Sequence, residues 1–109
     1  DSRGIFLVCI ENNEPIGCLG LRPLNRETGE LKRMYVRPKF RGRGAAKMML
    51  AEMEHEAALH GFKQIVLETG NQQHTAIDLY QAYGYEAIPP YNQTSDGPAS
   101  VCFCKTLDG

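Results

Sequence analysis

At 109 residues the chain is long enough for one domain around one core, and its 42% hydrophobic and 23% charged content is that of an ordinary globular protein. A formal net charge of -1 supplies no overall field toward nucleic acid or an anionic membrane, and no apolar run is long enough to cross a bilayer as a helix. Cys9, Cys18, Cys102 and Cys104 form no CxxC pair and each falls in a strand-like run, so they read as buried free thiols of a reducing cytoplasm, with no metal site.

The first residues, Asp1-Ser2-Arg3-Gly4, carry no signal-peptide pattern. They lack an initiating Met, and a strand is already under way at Ile5, which leaves room for residues upstream. Gly4 to Ile10 is rich in Ile, Phe, Leu and Val and is expected to be a strand. Glu11 to Pro15 supplies turn residues, and Ile16 to Leu21 returns as the second strand of a hairpin. Pro23 to Gly29 is a polar connection. Glu30 to Val36 is a third strand, broken by Arg37-Pro38-Lys39-Phe40 because Pro38 cannot donate to a ladder.

Ala46, Met49, Leu50, Met53 and Ala57 recur at three- and four-residue steps, which predicts a helix over Arg43 to Leu59, stopped by Gly61. Phe62 to Thr69 contains the apolar run Ile65-Val66-Leu67 of a buried parallel strand. A second helix is predicted over Gln73 to Tyr83, ended by Gly84. Tyr85 to Ile88 is strand-like, Pro89 to Pro98 is a polar loop, and Ser100 to Thr106 closes the sheet. The order predicts a single α/β domain over residues 1–109, with a mixed, mostly antiparallel sheet and one β-α-β crossover.

The stretch Arg41-Gly42-Arg43-Gly44-Ala45-Ala46 lies between the third strand and the first helix. Glycines there let the backbone approach a ligand closely. The unpaired amides and positive dipole end of a helix start suit a phosphate or pyrophosphate.

With that loop, Leu79-Tyr80 and Gly84-Tyr85 downstream, and Leu67-Glu68-Thr69-Gly70 followed by Gln73 and Pro89-Pro90, the chain resembles the GNAT superfamily of acetyl-CoA-dependent N-acetyltransferases, in a small bacterial-type form without the usual N-terminal strand and helices. The resemblance implies an acyl-CoA N-acyltransferase fold and direct transfer of an acetyl group from acetyl-CoA to a primary amine in a ternary complex. It implies that Arg41, Gly42, Arg43, Gly44, Ala45 and Ala46 hold the CoA diphosphate. Arg37 and Lys39 would add positive charge. The third strand and the Phe62 to Thr69 strand would splay apart, so that backbone groups of Met34 and Val36 pair with the pantetheine arm as with an added strand. Gln73 stands where the family often has Asn and would bond the pantetheine or a strand end as a further cofactor contact; a plain surface amide is the alternative.

An alkyl ammonium, of pKa about 10.4, must lose a proton before it attacks. Glu30 matches the position of the family's general base and would act through water or with a raised pKa; a plain surface Glu beside Lys32 is the alternative. Tyr80 matches the tyrosine that protonates the departing thiolate; a packed core tyrosine is the alternative. The Tyr91 to Pro98 loop is read as lining the acceptor side or supporting a homodimer contact. Two other functions stay open. One is a non-catalytic acyl-CoA-binding module. The other is a nucleic-acid or phosphoprotein binder using the basic cluster from Arg37 to Lys47, which the balanced charge disfavours.

Overall fold

The computed structural model describes residues 2–91 and 99–107. Among them the chain forms strands β1 (Ile5–Glu11), β2 (Glu14–Pro23) and β3 (Thr28–Val36), helix α1 (Ala45–Leu59), strand β4 (Gln64–Gly70), helix α2 (His74–Ala82) and strands β5 (Glu86–Ile88) and β6 (Ser100–Thr106). The sheet order is β1-β2-β3-β4-β6-β5. Every neighbouring pair is antiparallel except β3 and β4, which α1 joins as the crossover. The expected mixed, mostly antiparallel architecture is therefore present.

Local chemistry explains the elements. Asn12 and Asn13 both adopt positive φ, 51° and 64°, as the tight turn of the β1–β2 hairpin requires. The turn is shorter than expected, since Glu14 and Pro15 already belong to β2. β3 starts earlier than the predicted Glu30, at Thr28, because Gly29 pairs with Pro23 and Ile65 and so continues both ladders. The first helix begins at Ala45 rather than Arg43, because Gly44 caps it with φ 88° and breaks the helical run. β4 runs from Gln64 to Gly70 in place of Phe62 to Thr69, since Phe62 N–H still closes the end of α1 on the Ala57 carbonyl.

β3 carries one extra residue against β2. Gly20 pairs with Lys32 but Cys18 pairs with Tyr35, and Arg33 takes up the difference at φ 61°. A bulge of this kind inverts the alternation of everything after it. Leu31, Met34 and Val36 consequently share the helix-covered face, while Tyr35 is exposed.

Both helices cover that one face. Leu19, Leu21, Leu31, Ile65, Leu67 and Phe103 of the sheet pack with Met49, Leu50, Met53 and Ala57 of α1 and with Tyr80 of α2. The other face carries Phe6, Val8 and Ile10 of β1, all exposed, and the side chains of Glu30 and Val66, which are buried.

Met53 lies at the centre of the core with no exposure. Met53→Ala should lower the unfolding free energy by about 2–5 kcal/mol, through lost burial and the cavity left behind. Urea denaturation followed by circular dichroism measures it, and a loss under about 1 kcal/mol would mean that the core collapses around the gap.

Candidate active site

The parallel pairing of β3 with β4 is short. It joins Thr28 to Gln64, Gly29 to Ile65 and Glu30 to Val66, and ends there. β3 continues to Val36 and β4 to Gly70, where β4 pairs only with β6. Past Glu30, the β4-facing edge of β3 has no strand beside it, and strand backbone groups require partners. Arg37 N–H donates to the Ile16 carbonyl of β2 at 2.8 Å, so alternation turns the backbone of Val36, and of Met34 before it, away from β2 and into this gap. The Val36 carbonyl is not bare, because Arg41 Nε donates to it at 2.8 Å.

The Arg41–Ala46 loop follows at the same end of β3. Gly42 and Gly44 sit at φ 78° and 88°, a conformation that L residues rarely adopt, and a Cβ added at either would meet nothing within 4 Å. The space above them is open. Among the described residues, nothing accepts from the N–H groups of Gly42, Gly44, Ala45, Ala46 or Lys47, and α1 has no side-chain cap. The first turn of α1 carries no acidic residue to oppose an anion. Four cations surround the loop. Arg37 and Lys39 pair with Glu14 at 2.9 and 3.5 Å, and Arg43 reaches Glu11 at 4.0 Å. Arg37, Lys39 and Arg43 gather around the Phe40 ring, and Arg41 lies over Tyr35.

Glu30 is not the surface carboxylate that one alternative reading supposed. It is fully buried, on the sheet face opposite the helices. Arg22 Nε donates to its Oε1 at 2.6 Å, Tyr91 O–H donates to its Oε2 at 2.5 Å, and Lys32 Nζ stands 3.5 Å from Oε2. Burial alone would push its pKa up. The hydrogen bonds from Tyr91 and Arg22 and the charges of Lys32 and Arg22 outweigh that and leave it below the usual value. The structure thus corrects one expectation, a raised pKa at Glu30, and the reason is this set of partners.

Tyr80 lies on the other side of the sheet. Its ring is buried edge-on against Tyr85 at 5.7 Å and beside Phe103 at 6.4 Å. Burial raises its pKa to about 12, so its proton stays on through the physiological range. Gln73 is exposed at the start of α2 and folds back on Gly70 at the end of β4. Sequence reasoning missed Arg22 and the Tyr91 hydroxyl. Arg22 pairs directly with Glu30 across the β2–β3 ladder, a register that no motif announces.

The chain as a whole is similar to known proteins. The acetyltransferase (GNAT) family model matches residues 1–85. The chain is 35% identical over 104 residues to the IAA acetyltransferase of Azospirillum brasilense, a match covering 94% of this chain and 67% of that protein. Among other curated relatives the share of their length spanned falls as low as 42%. In three dimensions the chain superimposes on a Klebsiella pneumoniae protein named for acyl-CoA N-acyltransferase activity, with a TM-score of 0.91 and 32% identity, covering 97% of this chain and 74% of that one. It also matches a GNAT family acetyltransferase from Elizabethkingia anophelis with acetyl-CoA bound, at a TM-score of 0.83 and 26% identity, covering 97% and 78% of the two chains.

The lowered pKa of Glu30 contributes stability that is fully present above the ordinary carboxylate value of 4.5 and is lost as the pH falls through the folded value. Glu30→Gln should therefore be less stable than the parent at pH 7, and its urea midpoint should decline less between about pH 5 and pH 3. An equally steep decline in the variant would assign the acid sensitivity to other carboxylates.

Proposed function

The chain belongs to the GNAT acetyltransferase family, and on that premise we propose that it is an N-acetyltransferase, moving an acetyl group from acetyl-CoA to a primary amine by direct transfer in a ternary complex. One observation carries the reading. The unaccepted amides of Gly42, Gly44, Ala45 and Ala46 adjoin the unpaired edge of β3, so an anion site and a strand-like slot lie end to end. The residues present fit acetyl-CoA: an open left-handed glycine cradle without acidic neighbours in the helix start suits a diphosphate.

In this reading Arg41, Gly42, Arg43, Gly44, Ala45 and Ala46 hold the diphosphate, and the backbone of Met34 and Val36 takes the pantetheine arm. Gln73 flanks the far side of the slot. The Val36 carbonyl changes partner on binding, as Arg41 Nε leaves it and becomes free to face the phosphates. Bound acetyl-CoA supplies an activated thioester. The chain supplies orientation and proton management.

Glu30 receives the proton of the amine through water. A carboxylate with a lowered pKa is a weak base, so its contribution is a fixed negative charge beside the ammonium and a short-lived proton acceptor. The Tyr80 hydroxyl, kept protonated by burial that raises its pKa to about 12, donates a hydrogen bond to the departing sulfur and stabilises it as a thiolate without giving up its proton. Glu30 and Tyr80 project from opposite faces of the sheet, and the gap between β3 and β4 is the opening through which both can serve one bond.

Calorimetric titration of the full-length protein with acetyl-CoA, followed by turnover on a panel of primary amines, tests the assignment. Binding without turnover would favour an acyl-CoA-binding module. Gly44→Val should weaken acetyl-CoA binding at least about a hundredfold, because a branched side chain is strained at positive φ and stands over the amides. Unchanged affinity would move the diphosphate elsewhere. Tyr80→Phe should lower kcat about a hundredfold, with the Kd for acetyl-CoA little changed. An unaltered kcat would remove Tyr80 from the chemistry.

A further inference from the structure

Tyr91 follows β5 and interacts electrostatically with Cys102 of β6. Its hydroxyl donates to Glu30 Oε2 on β3, at 2.5 Å. β4 runs between those strands, and among the described residues no helix covers it on this face. Val66 of β4, whose neighbours in the ladders are Glu30 and Cys104, is nonetheless buried there. Tyr91 therefore reaches β3 at the row where β3 and β4 make their last pair.

We propose that Tyr91 is a positioning residue for acyl transfer: at the closed end of the gap its hydroxyl fixes the Glu30 carboxylate in the orientation in which it meets the acceptor. The proposal rests on the reading of Glu30 as the proton acceptor and adds the residue that controls it. The groups facing Glu30 come from every element around it: Arg22 of β2, Lys32 of β3, and Tyr91. Glu68 of β4 and Cys102 of β6 interact electrostatically with Tyr91, and Cys102 also with Glu30. Only two of these reach hydrogen-bond distance of the carboxylate. Arg22 holds Oε1 and Tyr91 holds Oε2, so removing the phenol oxygen leaves Oε2 with the Lys32 ammonium at 3.5 Å and no hydrogen-bond donor among the described residues.

The geometry also separates Tyr91 from the cofactor side. The loop at Gly42 and Gly44 belongs to the end of β3 beyond Val36, whereas Tyr91 acts on its start. Loss of the hydroxyl should alter the acceptor half-reaction and spare the affinity for acetyl-CoA.

The experiment compares the full-length protein with Tyr91→Phe by three readouts: the 13C titration of the Glu30 side-chain carboxyl, the pH profile of kcat/KM for an accepted amine, and the Kd for acetyl-CoA. A hydrogen bond donated to a carboxylate favours its ionised form, so its removal raises the pKa. The expected result is that the Glu30 titration and the acidic limb of the profile both move up by about one pH unit, a roughly tenfold loss of rate below the limb, at unchanged Kd. A Glu30 titration that stays in place overturns the proposal, and so does a weakened Kd, which would assign Tyr91 to the fold or the cofactor side. A titration that moves while the limb stays also overturns it. Glu30→Gln then locates the fault: an unaltered rate shows that the base assignment failed, and a lost rate shows that Tyr91 does not control the base.

Discussion

A backbone amide or carbonyl removed from water needs a partner, and along β3 that requirement is met on one side only. β2 pairs with it from Gly29 to Val36, but β4 leaves after Glu30. The rest of the site follows from that divergence. It leaves a strand-shaped vacancy in the middle of a sheet, where the flanking side chains are already packed and the backbone is already extended. A ligand with amide groups along its length can complete such a ladder with little reorganisation of the protein.

The proposed anion site beyond Val36 depends on a second constraint. A helix start exposes its first amides unless a side chain caps them. Here the capping position is Gly44, which has no side chain to offer and adopts a left-handed conformation that aims the chain into α1. The surrounding cations are shared with Glu11 and Glu14. In the proposed reading the loop therefore does not depend on bare positive charge, and its amides at the helix start supply the recognition.

Much of the scaffold was legible because its signals are local. The spacing of Met49, Leu50, Met53 and Ala57 fixes α1, and the apolar run at Ile65 fixes β4. The glycines at positions 42 and 44 announce a backbone that other residues rarely adopt. Element ends were less legible, as at Arg43 and Phe62, because capping and ladder pairing decide them and neither is periodic. The surroundings of Glu30 were not legible. Tyr91 reaches it from 61 residues away, and Arg22 meets it through a register that depends on strand pairing. Burial of an acidic residue in a strand that reads as half polar is set by what crosses over it, and that information lies in tertiary contacts alone.

The added residue at Arg33 has a wider effect than its size suggests. It shifts the phase of β3 by half a period midway along the strand. Before it, odd-numbered positions such as Leu31 point to the helices; after it, even-numbered ones such as Met34 and Val36 do. A strand without that shift would send Tyr35 into the core and turn the amide of Val36 toward β2, closing the edge that faces the vacancy. Losing the extra residue would leave Met34 and Val36 on the helix side in a regular ladder, whereas gaining a further one in regular alternation beyond it would exchange the inside of the strand for its outside, a change that a turn such as Asn12-Asn13 absorbs without cost to any strand.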